Sequence, residues 1–390
     1  MELIQAHGDT LAALGAQSSL AEKLAVVHRA VRVRHPLVAR IAVALHDATT
    51  GRLRTFVHST DGPVPLEFYE ARMEDAPELA RVLASREGRV VQDLSVYAQG
   101  THEHTRALQA HGFRSSYTLP FWWDGRFEAL IFFNARTTGC FGTEILEELD
   151  VWGHLVGSLA MSELSAARAL LAAVRTTNRL AHLRDPETGA HLDRMARYVR
   201  LIARNLARSG RQEMNDEMIE HLFVFAPMHD VGKIGIPDEV LMKPGPLTEP
   251  EREVMRRHPA IGRQIVDEIL ANFGAEHLGH VDLLRQVAES HHELLDGSGY
   301  PQGLRAGQVP VAARIAAVAD VFDALTSRRP YKEPWPNSAA FAWLERHAPS
   351  ELDRDCVEAL VSAASEVEEI QRTLVDERAP SPGSAPAEGP

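Results

Sequence analysis

Apolar residues recur at helical spacing across residues 20–33, where Leu24, Val27, Ala30 and Val31 fall on one face. The period then changes. Residues 40–46 are rich in apolar and β-branched side chains, Thr50-Gly51 is a turn signal, and residues 53–58 read as the second strand of a hairpin. The same pattern returns at residues 115–123 and 127–134, separated by Asp124-Gly125, a two-residue loop of the kind that closes tight hairpins. Between the hairpins, residues 66–108 read as mostly helical with one short strand at Arg89 to Val91. A helix, strands, helices, strands and a closing helix predict an α+β domain.

Residues 143–184 are nearly free of Pro and Gly, and Leu149, Trp152, Val156, Leu159, Leu170 and Val174 make an interrupted apolar stripe along them. This predicts a long connecting helix. Two roles suit it: pairing with its copy in a homodimer, or packing on the domains at its two ends. A new helix is expected from Asp185, a cap, and Pro186, at its first position, with Leu192, Met195, Val199, Ile202 and Leu206 as the buried stripe. Residues 376–390 are dominated by Pro, Ala, Gly and Ser without a periodic apolar face, and are expected to be disordered.

The length of 390 residues suits two domains, and 45% hydrophobic with 24% charged residues is ordinary for a globular protein. No run approaches the roughly eighteen apolar residues of a membrane span, and residues 1–19 lack the basic start and apolar core of a signal peptide. A cytoplasmic location without membrane contact is the expectation. Cys140 and Cys356 are too few and too far apart to build a framework or a thiolate site. A formal charge of −13 argues against broad binding to a nucleic-acid polymer, which needs a basic face. The 19 histidines matter more, because those that fall near carboxylates lie beyond residue 185.

Glu187 and His191 stand four apart, on one face of the expected helix. Next comes Pro227-Met228-His229-Asp230-Val231-Gly232-Lys233, where a carboxylate able to bridge two cations adjoins an imidazole able to bind one, and Lys233 is placed to meet an anion. His258 follows, then His291-His292-Glu293 at an expected helix end, and Asp320 in the run AAVADVFDA. Mixed imidazole and carboxylate ligands of this kind suit iron, manganese and similar divalent ions. Asp296-Gly297-Ser298-Gly299-Tyr300-Pro301, followed by Gly303, fixes a loop between the last two clusters.

The stretches HDVGKIGIPD, HHELLDGSGYP and ARIAAVADVFDALTSRRPYK resemble the HD-GYP family, a branch of the HD metal-dependent phosphohydrolases. The resemblance covers residues 185–375 and implies an all-α HD-type helical bundle. It implies hydrolysis of cyclic di-GMP to linear pGpG, to GMP, or to both, with two or three divalent metal ions, iron or manganese. By position, His191, His229, Asp230 and Asp320 match the ligands of one metal, and Asp230, His258, His291 and His292 those of its neighbour. Glu187 matches the residue associated with a third. Lys233 matches the lysine facing the scissile phosphate, and Arg329 and Lys332 match basic residues that hold the ligand. Asp323, one helical turn after Asp320, fits a role in orienting a ligand or in moving a proton. Gly299-Tyr300-Pro301 resembles the part of the family that contacts diguanylate cyclase domains.

Residues 19–161 resemble a GAF domain, on the order of elements and on GFRSSYTLPFWWDGRFEALIFFN at residues 112–134. GAF domains commonly bind a small molecule or hold a dimer together, and nothing in the sequence declares which ligand this one takes, if any. The expected whole is therefore a GAF-like sensor, a connecting helix at residues 143–184 and a catalytic HD-GYP bundle. Two alternatives remain open at this stage: another cyclic dinucleotide substrate such as cyclic GMP-AMP, or a non-catalytic cyclic di-GMP receptor.

Overall fold

The computed structural model describes residues 8–16, 18–97, 103–181, 189–274, 279–327, 333–348 and 350–374. The chain divides into two units. One comprises Met1–Ala167 with Met214–Glu220 and His277–Gly279; the other comprises Arg168–Glu213, His221–Glu276 and His280–Pro390.

In the first unit, α1 (Leu20–Arg34) opens on a capping box in which the Ser19 hydroxyl accepts from the Glu22 N–H and the Glu22 carboxylate accepts from the Ser19 N–H. The sheet comprises β1 (Val38–Asp47), β2 (Arg52–Thr60), β3 (Glu70–Arg72), β4 (Arg89–Val91), β5 (Ser115–Trp123) and β6 (Arg126–Ala135). Its order is β3-β2-β1-β6-β5-β4, with every adjacent pair antiparallel. The two expected hairpins are β1–β2 and β5–β6. Asp124 (φ 47) and Gly125 (φ 76) supply the two left-handed residues that a type I′ loop requires.

Alternation along β1 separates the two faces of the sheet. Ile41, Val43 and Leu45 join Phe133 and Phe121 in a core closed by Leu24, Val27 and Val31 of α1 and by Leu149 and Val156 of α4 (Thr143–Ala181). On the opposite face, Leu53 and Leu130 pack with Leu79 and Val82 of α2 (Pro77–Ser85). A satellite cluster forms around Phe113 and Leu108 of α3 (Glu103–Ala110). With helices on both sides, β1 is buried at eight consecutive positions, which is why its sequence is apolar on both faces except at Arg40. The pattern does not foretell β3, because Glu-Ala-Arg has no apolar alternation and is held by pairing with β2 across a long connection.

The second unit is helical: α5 (Gly189–Arg208), the second half of α6 (Asp216–Phe225), α7 (Asp238–Leu241), α8 (Glu249–Met255), α9 (His258–Phe273), α10 (Val281–Ser290), α11 (Val311–Thr326), α12 (Asn337–His347), α13 (Arg354–Val361) and α14 (Ala364–Thr373). Met195, Val199, Ile202 and Leu206 are the buried stripe of α5, and Tyr198 meets Phe322 of α11 edge to face at 5.2 Å. The expected α+β and all-α architectures are both present. Asp185, Pro186 and Glu187, the side chains of Leu170 and Val174, Arg329, Lys332 and the tail at residues 376–390 lie outside the described residues. Among the described residues no helix is long and apolar enough to cross a membrane.

Two 3-10 turns, Ala226–Met228 and Val231–Gly235, follow α6 and bracket His229-Asp230. The second lies against the start of α9 so closely that a Cβ on Gly232 would stand 1.9 Å from the His258 carbonyl oxygen and 2.4 Å from the Gly262 nitrogen. Both obstacles are backbone and cannot rotate away. A Cβ on Gly262 would meet nothing nearer than 3.4 Å. Gly232→Ala is therefore expected to destabilise the helical unit by about 3 kcal/mol or more. Gly262→Ala should stay within about 1 kcal/mol of the parent. Urea unfolding followed by circular dichroism distinguishes the two, and equal midpoints would contradict this packing.

Candidate metal centre

Five short segments bring their side chains to one place. His191 comes from the first turn of α5, and His229 and Asp230 from the link between the two 3-10 turns. His258 is the first residue of α9, His291 and His292 directly follow α10, and Asp320 lies on α11. They form two groups with ligand atoms mutually within 4.8 Å: Asp230, His258, His291 and His292, and beside them His191, His229 and Asp320.

Asp230 stands where the two groups meet. Its Oδ1 lies 3.0 Å from His258 Nε2 and 3.6 Å from His291 Nε2, while its Oδ2 lies 3.1 Å from His229 Nε2 and 2.7 Å from Lys233 Nζ. His229 Nε2 is in turn 4.0 Å from Asp320 Oδ1. Each oxygen of one carboxylate thus faces a different set of imidazoles, the disposition needed to bridge two cations.

The far side of four of the five rings is fixed. His229 Nδ1 donates to the Ala226 carbonyl at 3.0 Å, His258 Nδ1 to Met255 at 2.8 Å and His291 Nδ1 to Val287 at 2.9 Å. A carbonyl can only accept, so in the neutral ring the proton sits on Nδ1 and the lone pair on Nε2 faces Asp230. His191 Nδ1 is held instead by Asp323 Oδ2 at 2.8 Å.

Protonation follows from burial and charge. Burial pushes the Asp230 carboxyl up, but the opposing contributions, led by the Lys233 ammonium, hold the group well below the usual carboxylate range. Burial lowers His291, and burial with the neighbouring His291 lowers His292, so both favour the neutral imidazole. An ionised carboxylate among neutral imidazoles is the state in which these residues ligate a divalent ion. The donor set therefore fits the metal that the sequence implies, without thiolate: Cys140 and Cys356 belong to neither group.

Asp323 is 1% exposed and lies behind His191. Arg194, one turn along α5, donates to it through Nε at 2.7 Å and Nη2 at 3.0 Å, and Ser327 donates its hydroxyl at 2.9 Å. Burial raises this carboxyl, yet the bonds from His191 and Arg194 bring it down to about 2. Sequence reasoning misses Arg194 and Ser327. The spacing of Arg194 from His191 is visible, but its partner lies 129 residues away.

Glu293, grouped by sequence with the neighbouring histidines, turns instead to the loop and accepts the N–H groups of Gln302 at 2.6 Å and Leu304 at 2.8 Å. That loop carries Tyr300, whose ring lies 4.7 Å from the His292 ring. Glu187, Arg329 and Lys332, the remaining sequence-predicted site residues, are outside the described residues.

Comparison with known proteins gives the context. Residues 175–356 match the family model described as HD domain. A cyclic di-GMP phosphodiesterase response regulator, RpfG, of Xanthomonas campestris is 41% identical over 224 residues, 55% of this chain and 56% of that protein. A cyclic di-GMP phosphodiesterase of Thermotoga maritima is 38% identical over 217 residues, 54% of this chain and 55% of that protein. A 3'3'-cGAMP-specific phosphodiesterase of Vibrio cholerae is 35% identical over 193 residues, 50% of this chain and 34% of that protein. The matches thus span about half or less of these relatives' length. Among solved structures, a GAF domain/HD domain protein from Geobacter sulfurreducens is similar at 14% identity and a TM-score of 0.31, covering 38% of this chain and 98% of that one. The matched span contains both His/Asp groups, so the similarity to the HD domain falls on the helical unit and takes in the whole ligand cluster.

Proposed function

We propose that this chain is a metal-dependent phosphodiesterase that hydrolyses cyclic di-GMP to linear pGpG, to GMP, or to both. The observation that carries the reading is the Asp230 carboxylate, whose two oxygens address two separate groups of histidines. His191, His229, Asp230 and Asp320 would hold one divalent ion and Asp230, His258, His291 and His292 another, with Glu187 available to a third. Nitrogen and oxygen donors without thiolate suit iron or manganese. When bound, such ions supply a Lewis acid for the phosphoryl oxygens and a water acidic enough to attack near neutral pH.

The chain's own side chains do the remaining work. Lys233, anchored to Asp230 at 2.7 Å, puts a cation beside the ligand cluster, where it stabilises charge that develops on a phosphate. Tyr300 and the loop held by Glu293 brace His292. In this reading Gly299-Tyr300-Pro301 supports the centre from one side and offers the exposed Pro301 to a diguanylate cyclase partner. Arg329 and Lys332 complete phosphate or guanine binding, and the α+β unit regulates the HD domain.

A relative named for 3'3'-cGAMP favours a second substrate within the same chemistry. Product chromatography with anaerobically purified, iron- or manganese-loaded protein decides between them when both cyclic dinucleotides are supplied together. Conversion of cyclic di-GMP in preference to cyclic GMP-AMP is expected. Binding of cyclic di-GMP without product by fully metallated protein would instead mark a receptor. Asp230→Ala should lose turnover by at least about a thousandfold, with loss of bound metal. An active, fully metallated variant would contradict the bridging role.

Asp323 acts in this scheme through His191, because both of its oxygens are engaged by His191, Arg194 and Ser327. Asp323→Asn keeps the shape but weakens the anchor of the ring. Its affinity for manganese, measured by calorimetric titration, is expected to fall about 10–100-fold. Unchanged affinity with lowered turnover would assign Asp323 to proton transfer instead.

A further inference from the structure

The second face of the sheet in the α+β unit encloses a cavity of about 60 Å³. It exists because β1 places alanines, Ala42 and Ala44, where larger residues would fill the space beneath Leu53, Leu79, Leu108 and Phe132. In a lining that is mostly apolar, with Arg54, Thr55, Tyr69 and His104 as its other polar members, stands Arg40, 3% exposed and two residues before Ala42 on the same strand face.

Arg40 is incompletely matched. Its Nη1 donates to the Asn134 side-chain oxygen at 2.9 Å, and the Asn134 amide nitrogen donates to Ser116 Oγ at 2.9 Å, which orients that oxygen. Its Nε is buried without a hydrogen-bond partner. Asp216, in the same unit, acts on Arg40 through space and makes no ion pair with it; its own carboxyl accepts from the Phe68 N–H at 3.1 Å. Burial pulls the guanidinium down to about 10, and burial together with Arg40 pulls His58 down to about 4. The other arginine of the lining, Arg54, has its charge met by Glu220 at 2.9 Å and Asp47 at 2.9 Å.

A buried guanidinium next to empty apolar space is costly unless an anion completes it. The geometry points to this cavity as a binding site for a short-chain monocarboxylate, whose carboxylate meets Arg40 and whose alkyl end fills the space over Ala42 and Ala44. Size sets the class. One water needs roughly 10–15 Å³ by this measure, so the cavity takes roughly four to six groups of that size. A nucleotide or a tetrapyrrole is far larger.

Sodium propionate is the probe, tested on the full chain by calorimetry and thermal unfolding against propionamide and against sodium chloride at equal ionic strength. Saturable propionate binding with a rise in Tm is expected, and neither control should produce it. Arg40→Gln should weaken binding at least about tenfold, since a charge-assisted hydrogen bond is lost. Ala44→Leu should abolish binding by filling the cavity while leaving Arg40 in place, and it decides the matter if Arg40→Gln does not fold. Asp230→Ala should bind propionate as the parent does, because the cavity shares no residue with the metal centre. No saturable binding by folded parent, equal binding of the amide, retention in Ala44→Leu, or loss in Asp230→Ala would each overturn the proposal.

Discussion

The helical unit is organised around the buried carboxylate of Asp230. Asp230 is held ionised against the cost of burial chiefly by Lys233; one of its oxygens lies beside Lys233 and His229, and the other meets His258 and His291. Three chain segments, those of His229 to Lys233, His258 and His291, must therefore converge on one carboxylate. This explains the local peculiarities of the fold. The chain leaves α6 through two 3-10 turns instead of extending the helix, Gly232 lets that turn lie against the α9 backbone, and α10 stops just before His291-His292.

The same convergence uses groups that helices leave over. The last carbonyls of a helix have no intrahelical donor. Met255 is the final residue of α8 and Val287 lies in the last turn of α10, and each accepts from a histidine Nδ1; Ala226, which begins the turn after α6, accepts both the N–H and the Nδ1 of His229. One contact satisfies a carbonyl and fixes a tautomer. For His191, at the start of a helix, Asp323 from α11 takes that part. The Arg194 pair then holds Asp323, so the orientation of His191 depends on an ion pair that joins α5 to α11.

Legibility in the sequence tracks the range of the interaction. The two hairpins, the stripe of α5 and the histidine and aspartate clusters are written in contiguous residues, where periodicity or adjacency reveals them. Family resemblance extends that reading, since it sets distant segments such as His191 and Asp320 into one site. What escapes is set by partners remote in sequence. Arg194 looks like one more basic residue on a helix until α11 brings Asp323 against it, and β3 has no pattern of its own to announce it. Glu293 escapes too, at shorter range. Its adjacency to two histidines says nothing of its role, which is to accept the N–H groups of Gln302 and Leu304 in the following loop.

Two buried arginines show how the same residue type takes different meanings from its surroundings. Arg194 is saturated by a carboxylate, a hydroxyl and the Leu374 carbonyl, so its charge is spent on holding the fold and His191 together. Arg40 has one neutral amide oxygen at hydrogen-bond distance and an apolar cavity at its side. A guanidinium used only for structure gains nothing from a cavity beside it, because filling that space with larger side chains would improve packing at no cost to its bonds. The alanines that keep the space open at Arg40 are therefore better explained by an occupant than by the stability of the sheet.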